Sequence, residues 1–202
     1  MHPDAVAERL RAALGRTTSA SSDYDLNPGI ALPPGRKLRP AAVLVAVSVA
    51  GGAPRVLLTK RASHLKHHPG QIALPGGKVD AGDGGPEAAA LREAHEEVGL
   101  PCAAVTILGR LPGHETVTGY AVVPILACIT VPFDPVPEAG EVAEVFDVPL
   151  DHVTRAAAYR VESRRWRGQK RHYFALPFGP YYIWGATARV LRGLAERWEA
   201  VS

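Results

Sequence analysis

Residues 76–100, GGKVDAGDGGPEAAALREAHEEVGL, carry the strongest structural signal in the chain. The first part of this stretch is rich in glycine and aspartate, which predicts a turn. Pro86 then begins a helix that is expected to run to about Val98, because proline suits the first helical turn and Gly99 suits a left-handed helix end. At about 100° per residue, Ala94 and Val98 fall on one apolar stripe that can pack against a sheet.

Three glutamates crowd the polar side of this helix. Glu93, Glu96 and Glu97 are neighbours at helical spacing, and like charges so placed cost a few tenths of a kcal/mol per pair. Arg92 can offset part of this repulsion by pairing with Glu96 four residues on. A hard divalent cation such as Mg²⁺ explains the cluster better, because it prefers oxygen ligands. The alternative is a solvated acidic helix face. The upstream Gly76-Gly77 pair favours the metal, since its backbone can approach a ligand closely.

Composition is that of one ordinary globular domain. The 202 residues are 47% hydrophobic and 21% charged, and the net charge of +3 is too small to indicate a nucleic-acid partner. No apolar run approaches the roughly 18 residues of a membrane span. The first 14 residues form an amphipathic pattern with acidic residues and lack the apolar core of a signal peptide. We therefore expect a cytoplasmic protein with no membrane partner.

Element patterns along the chain predict an α/β (α+β) fold with a mixed β-sheet and helices on its faces. A helix is expected at residues 4–14 and an irregular connector at 17–39, so residues 1–38 form an N-terminal arm and 39–202 the main domain. A second helix is expected near the C-terminus. Strands are predicted at 41–50, 55–59, 105–111, 120–130 and 141–148, and a hairpin with a basic turn at 157–176. The first two strands are expected to form a hairpin across residues 51–54, and their near-continuous apolar character predicts that at least one of them lies in the centre of the sheet.

The acidic helix resembles the Nudix box, Gly-x5-Glu-x7-Arg-Glu-U-x-Glu-Glu-x-Gly-U, in which U is aliphatic. The first half departs from the box: the sixth residue after Gly77 is Asp83 and not Glu, and eight residues instead of seven separate it from Arg92. The second half matches at Arg92, Glu93, Ala94, Glu96, Glu97, Gly99 and Leu100. On these residues the chain is identified as a member of the Nudix hydrolases.

A second motif lies upstream and reads Leu57-Leu58-Thr59-Lys60-Arg61-Ala62, then Lys66, Gly70 and Leu74-Pro75-Gly76-Gly77. It resembles the motif Leu-Leu-Thr-x-Arg-(Ser/Ala)-x3-Arg-x3-Gly-x3-Phe-Pro-Gly-Gly of the Nudix subgroup that hydrolyses coenzyme A. Lysine replaces arginine at position 66, losing the bidentate fork, and leucine replaces phenylalanine at position 74. The departures around Asp83, the segment Thr118-Gly119-Tyr120 with Pro124, and residues 183–188 also resemble this subgroup.

The resemblance implies a Nudix fold, a mixed β-sheet sandwiched between helices, and metal-dependent cleavage of a pyrophosphate bond by water. Its metal ligands to Mg²⁺ or Mn²⁺ correspond to Glu93, Glu96, Glu97 and the carbonyl of Gly76. The residue that takes the proton of the attacking water varies within the family. Here Glu93 or Glu96 is expected to do so, with Glu141 or Glu144 as an alternative from outside the helix.

The substrate implied is coenzyme A or an acyl-CoA thioester, with 3′,5′-ADP and 4′-phosphopantetheine, or its acyl derivative, as products. Arg61, Lys66, Gly70 and Arg92 are expected to bind it, because a substrate with a diphosphate and a 3′-phosphate needs cations beyond the metal. Histidines 64, 67 and 68 lie on the same loop. The basic segment 164–172 is either a solvated hairpin or a contact for the 3′-phosphate or the adenine. A homodimer is possible.

Two other functions remain open from the sequence. One is a Nudix pyrophosphatase acting on another nucleoside diphosphate derivative, such as ADP-ribose, which would leave the upstream motif without meaning. The other is a module that binds nucleotide or RNA without hydrolysis. The three retained glutamates of the box argue against the module, and the basic segment 164–172 is its only support.

Overall fold

The computed structural model of the chain describes residues 2–16, 19–30, 35–166 and 168–201. Short 3₁₀ turns at Cys102–Ala104 and Ala156–Ala158 accompany the regular elements. The helices and strands, numbered along the chain, are α1 Pro3–Leu14, β1 Ser21–Ser22, β2 Arg39–Ser48, β3 Arg55–Arg61, β4 Ile72–Ala73, β5 Gly76–Lys78, α2 Pro86–Val98, β6 Val105–Arg110, β7 His114–Glu115, β8 Tyr120–Ile129, β9 Val142–Pro149, α3 Leu150–Val153, β10 Arg160–Trp166, β11 Gln169–Phe178, β12 Tyr181–Trp184 and α4 Ala186–Glu199.

The parallel pair of β2 and β8 forms the centre of the main sheet and is in register along its whole length. β2 reads RPAAVLVAVS, and neighbouring residues Leu44 and Val45 are both fully buried, one on each face. Parallel strands are usually covered on both faces and therefore have near-continuous apolar sequences. The central strand predicted in this part of the chain is confirmed.

The hairpin predicted between β2 and β3 forms only next to its turn. The two strands pair antiparallel at Val47 with Val56 and at Ser48 with Arg55. Beyond these residues they separate, so that β5 pairs with β2 and β4 pairs with β3. The backbone of Gly76 and Gly77 thereby enters the main sheet at a position that faces α2.

The two faces of the main sheet bury separate apolar cores. Because side chains alternate along a strand, Ala42, Leu44 and Ala46 of β2 pack in the core with α2, whereas Val45 and Val47 pack in the core with α1 and α4. β3 and β9 add antiparallel pairing to the parallel pair at the centre. The mixed sheet between helices is therefore confirmed.

A smaller antiparallel sheet consists of β10, β11 and β12. Its first two strands form the predicted hairpin, in which Arg164 stands opposite Arg171. β10 begins at Arg160, later than predicted, because residues 156–158 form a 3₁₀ turn. The residue at position 167, within the predicted basic turn, lies outside the described ranges.

The N-terminal arm packs against the rest of the chain. Val6 and Leu10 of α1 are buried in the core shared with α4. The guanidinium of Arg197 in α4 is buried and donates hydrogen bonds to the carbonyls of Ala13 and Arg16. Of the connector predicted at 17–39, residues 17, 18 and 31–34 lie outside the described ranges, and the remainder contains β1, which pairs with β7. The division of the chain at residue 38 stays a prediction.

None of the helices in the described ranges combines the length and the apolar character that crossing a bilayer requires.

Candidate metal and catalytic site

Helix α2 lies close to the sheet because its inner face consists of small residues. Ala89, Ala90 and Ala94 are fully buried against the sheet. The helix begins at Pro86 as predicted, and it ends at Gly99, whose φ of 70° is the left-handed conformation expected there. This close approach brings the glutamates of the last two turns against the backbone of β5.

Glu97 is the most buried carboxylate of the site, with only 5% of its surface exposed. Its Oε2 accepts a hydrogen bond of 3.1 Å from the backbone N–H of Gly76. Burial raises the pKa of Glu97 to about 7, although the Gly76 hydrogen bond opposes the shift, and the nearby charge of Glu93 adds to it. A cation bound next to Glu97 would favour the charged form of this carboxylate.

Glu93 rests directly on the backbone of Gly77. A Cβ atom at position 77 would lie 2.3 Å from Oε1 of Glu93, so any other residue there would displace the carboxylate from this position. Burial raises the pKa of Glu93, while a hydrogen bond from Arg92 lowers it. Gly76 therefore binds Glu97 through its backbone N–H, and Gly77, which has no side chain, leaves space for Glu93.

Arg92 organises the polar edge of the site. Its Nε and Nη2 atoms donate to the two oxygens of Asp83, each at 3.0 Å, and Nη2 also donates to the carbonyl of Lys78. Its Nη1 donates to Glu93 at 3.0 Å and to Glu96 at 3.1 Å, which includes the predicted pairing four residues apart. These carboxylates raise the pKa of Arg92, and Arg92 lowers that of Asp83. The structure shows Arg92 bonded to these protein groups. The predicted contact of Arg92 with substrate stays a prediction.

Asp83 has a role that the sequence did not reveal. It occupies the position at which the Nudix box has glutamate, and it is nearly buried. One of its oxygens also accepts the backbone N–H of Asp80 at 2.8 Å. The shorter acid and the extra residue after it thus make a closed turn that is fastened to α2 through Arg92. A turn of this kind has no periodicity, so no sequence pattern indicated the contact.

Glu96 and Glu141 lie at the margin of the site. The side chain of Glu96 is 56% exposed and contacts Arg92. Glu141 lies near enough for its charge to raise the pKa values of both Glu93 and Glu97. Its carbonyl accepts the N–H of Ala62, which ties it to the loop that follows β3. Of the two alternative bases outside the helix, Glu141 is therefore in the neighbourhood of the cluster.

Glu144 faces the other side of the sheet. Its carboxylate accepts a hydrogen bond from the hydroxyl of Tyr181. The ring of Tyr181 stacks on Phe146 at 3.7 Å between centroids, and both rings pack against the core that contains α1 and α4. Alternation along β9 accounts for this placement, since Val145 packs toward α2 and its two neighbours point away.

The predicted substrate-binding loop closes on the backbone of Arg61, the last residue of β3. The N–H of Arg61 donates to the carbonyl of Gln71, and the carbonyl of Arg61 accepts the N–H of Gly70, whose φ is 67°. Burial raises the pKa of Glu97 and the charge of Arg61 opposes that rise, so the guanidinium is within electrostatic range of the buried carboxylate. Lys66 is exposed on the same loop. His64 contacts the carbonyl of Gly140, which joins this loop to the segment that precedes Glu141.

The chemistry of the donor set fits a hard divalent cation. All donors are oxygens, and the buried charges of Glu93 and Glu97 are offset only in part. Among the described residues, no group of three or more acidic, histidine or cysteine side chains is already arranged as a metal cage. Mg²⁺ takes oxygen ligands, keeps several waters and shares phosphates with the substrate. Glu93, Glu96, Glu97 and the Gly76 carbonyl remain the predicted ligands, and a bound ion would supply positive charge toward phosphate oxygens.

A model of the NUDIX domain matches residues 37–167. The chain belongs to the Nudix hydrolase family. Relatives of this Nudix hydrolase include proteins of Enterobacter sp. (strain 638) and Cronobacter sakazakii (strain ATCC BAA-894), both described as "Uncharacterized Nudix hydrolase NudL". Each is 43% identical over 157 residues, covering 78% of this chain and 81% of the relative.

The solved structures show the same fold. The MutT protein from Methanosarcina mazei Go1 is similar with a TM-score of 0.52 and 20% identity, over 83% of this chain and 97% of that chain. The Nudix resemblance inferred from the box is therefore confirmed, and the protein is a pyrophosphohydrolase. Nudix hydrolases generally use divalent metal ions.

From the raised pKa of Glu97 we predict how the folding stability of the metal-free protein depends on pH. Folding raises this pKa above its unfolded value, so the protonated carboxyl is favoured in the folded state, and its stabilising contribution is lost as pH rises through about 7. Between about pH 5 and pH 8, the metal-free wild type is expected to lose roughly 2 kcal/mol of unfolding free energy relative to Glu97→Gln. Urea unfolding in chelator at several pH values measures the difference.

Glu96→Gln is the matched control, because Glu96 lies on the same helix with an exposed side chain. It is expected to keep the pH dependence of the wild type. Equal pH dependence in the wild type and Glu97→Gln would contradict the burial of an ionisable Glu97.

Proposed function

We propose that the protein hydrolyses the pyrophosphate bond of coenzyme A or its thioesters, and that it releases 3′,5′-ADP and 4′-phosphopantetheine or the acyl derivative. The observation that carries the proposal is the position of Arg61. This residue belongs to the upstream motif that resembles the coenzyme A subgroup, and its charge acts on Glu97 of the Nudix box. We infer from this that the two motifs contribute to one site.

The loop after β3 supports a role in holding the substrate. Gly70 and Gln71 form backbone hydrogen bonds with Arg61, and these bonds fix the position of the Arg61 backbone. A guanidinium beside a metal-binding carboxylate can pair with phosphate oxygens through two parallel hydrogen bonds. Lys66, exposed on the same loop, offers a second cation as a point charge. Arg61 and Lys66 are therefore assigned to the diphosphate or the 3′-phosphate, and Gly70 to the shape of the loop.

The reaction consumes one water and one phosphoanhydride bond. The water oxygen forms a bond to one phosphorus, the bond from that phosphorus to the bridging oxygen breaks, and the bridging oxygen leaves on the other phosphate. The proton of the water passes to a carboxylate, which we assign to Glu93 or Glu96, with Glu141 as the alternative from the neighbouring loop. Arg92 keeps Glu93 and Glu96 oriented through its hydrogen bonds at 3.0 and 3.1 Å.

A cytoplasmic location and a homodimer belong to the same proposal. Both come from the sequence, and cell fractionation and light scattering of the purified full chain test them.

A panel of substrates tests the function. With Mg²⁺ or Mn²⁺, coenzyme A or one of its thioesters is expected to be cleaved at least about tenfold faster than ADP-ribose, and mass spectrometry of the products is expected to identify 3′,5′-ADP. Glu97→Gln is expected to lose the metal-dependent activity. Faster cleavage of ADP-ribose would contradict the assignment to coenzyme A, and no cleavage of any diphosphate by the wild type would favour a binding module.

Replacing Arg61 tests its contact with phosphate. Arg61→Gln is expected to raise the KM for coenzyme A about tenfold, equivalent to about 1.4 kcal/mol of binding free energy. Lys60→Gln removes the same charge from the preceding residue of β3, which stands opposite Glu144 and alternates to the other face. Steady-state kinetics are expected to show little change for Lys60→Gln. An equal rise in KM for the two substitutions would contradict a direct contact of Arg61 with phosphate, because the effect would then come from net charge alone.

A further inference from the structure

A second pocket, outside the glutamate cluster, lies where the smaller sheet meets three loops. Its volume is about 130 Å³, and its lining includes His68, Thr118, Arg164, Tyr173 and Trp184. Sites that hold a whole drug-sized ligand typically measure about 300–1,000 Å³. A pocket of this size takes in part of one end of an extended ligand, and the rest of the ligand would lie outside it.

The smaller sheet brings two arginines together at this pocket. Arg164 of β10 stands directly opposite Arg171 of β11, and both line the pocket. Like charges directly opposite each other on antiparallel strands destabilise the pair. In the described part of the chain, no carboxylate lies within salt-bridge distance of Arg164. An anion bound in the pocket would offset the charge of Arg164.

Aromatic rings form the other part of the wall. The guanidinium of Arg164 lies 4.2 Å from the ring centroid of Trp184, and Tyr173 meets Trp184 at 5.2 Å with an angle of 59° between the rings. Stacking holds the guanidinium by its face and leaves its N–H edge for hydrogen bonds. A ligand that combines a planar base with a phosphate matches rings and arginines placed side by side.

The acid in the wall is already engaged. Asp23 of the N-terminal arm lines the pocket, but its two oxygens contact Nε2 of His114 at 3.1 Å and the N–H of Val117 at 2.8 Å. Its charge is therefore turned toward protein donors. Asn27 fixes the same wall, because it exchanges two hydrogen bonds with the backbone of His172.

One loop joins this pocket to the glutamate cluster. His68 lines the pocket, and its carbonyl accepts the N–H of Gln71 in the turn that also holds the backbone of Arg61. Thr187 at the start of α4 donates to the carbonyl of Ile72, which fastens this loop to the element that follows Trp184. A ligand seated in the pocket would thus contact the loop that closes on the backbone of Arg61.

We propose that this pocket binds the 3′-phosphorylated adenosine end of the substrate, with Arg164 and Arg171 meeting the phosphate and the adjoining rings of Trp184 and Tyr173 forming the wall against which the base lies. The proposal rests on the proposed hydrolysis of coenzyme A and names the part of the chain that selects the substrate. The pantetheine end, which is flexible and carries neither ring nor added phosphate, does not match this wall.

Calorimetric titration of the full chain with 3′,5′-ADP, in chelator and at one fixed salt concentration, tests the pocket. Arg164→Gln is expected to raise the Kd for 3′,5′-ADP about tenfold. Arg165→Gln is the matched control, because it removes the same charge from the next residue of β10, stands opposite Lys170 and lies outside the pocket. It is expected to change the Kd less than about twofold. For 5′-AMP, which lacks the 3′-phosphate, the wild type is expected to bind more weakly and Arg164→Gln to have little effect.

Several results would overturn the pocket assignment. These are no binding of 3′,5′-ADP by the wild type, equal effects of Arg164→Gln and Arg165→Gln, or an equal loss for 5′-AMP. Tighter Arg164-dependent binding of a short single-stranded RNA than of 3′,5′-ADP would also overturn it. Hydrolysis of coenzyme A is measured in parallel. If coenzyme A is cleaved but the binding of 3′,5′-ADP does not depend on Arg164, only the pocket assignment is contradicted. If the binding depends on Arg164 but coenzyme A is not cleaved, only the proposed function is contradicted.

Discussion

The hydrogen bond from the Gly76 N–H to the buried carboxylate of Glu97 joins helix α2 to the main sheet, and the rest of the site depends on it. It requires β5 to enter the sheet between β2 and β3, and it requires α2 to approach on an alanine face. It also leaves a carboxylate in a place where burial opposes its charge. A buried carboxylate costs folding stability when it is charged, and such costs are expected at functional sites. Binding of a divalent cation beside a diphosphate is the proposed role that fits a set of oxygen donors.

Arg92 completes the arrangement from the outer side. It binds Asp83 through two hydrogen bonds and holds Glu93 and Glu96 with its remaining donors. The arginine of the box is thus a positioning residue in this structure, and Asp83 is its partner. The departure from the general box therefore has a structural counterpart: Asp83, in a turn one residue longer, accepts two hydrogen bonds from the guanidinium of Arg92.

Much of this architecture was predictable from local patterns. Helix α2 was located from proline, glycine and the apolar stripe, and the central strand from its continuous apolar run. What the sequence did not reveal are contacts between residues distant along the chain or inside irregular turns. The Asp83–Arg92 pair lies in a glycine-rich turn, the separation of β2 from β3 depends on the insertion of β5, and the engagement of Asp23 with His114 joins residues 91 positions apart. Hydrophobic periodicity carries no information on such contacts, because their geometry is set by the packing of the whole fold.

The most direct test of the account is the affinity of the full chain for Mn²⁺, measured by electron paramagnetic resonance at about pH 7.5. The wild type is expected to bind the ion, and Glu97→Gln to bind it at least about tenfold more weakly. Glu87→Gln, on the first turn of the same helix and paired with Arg110, is expected to retain the wild-type affinity. Equal Mn²⁺ affinity in the wild type and Glu97→Gln would contradict the claim that the buried carboxylate is built to hold a metal.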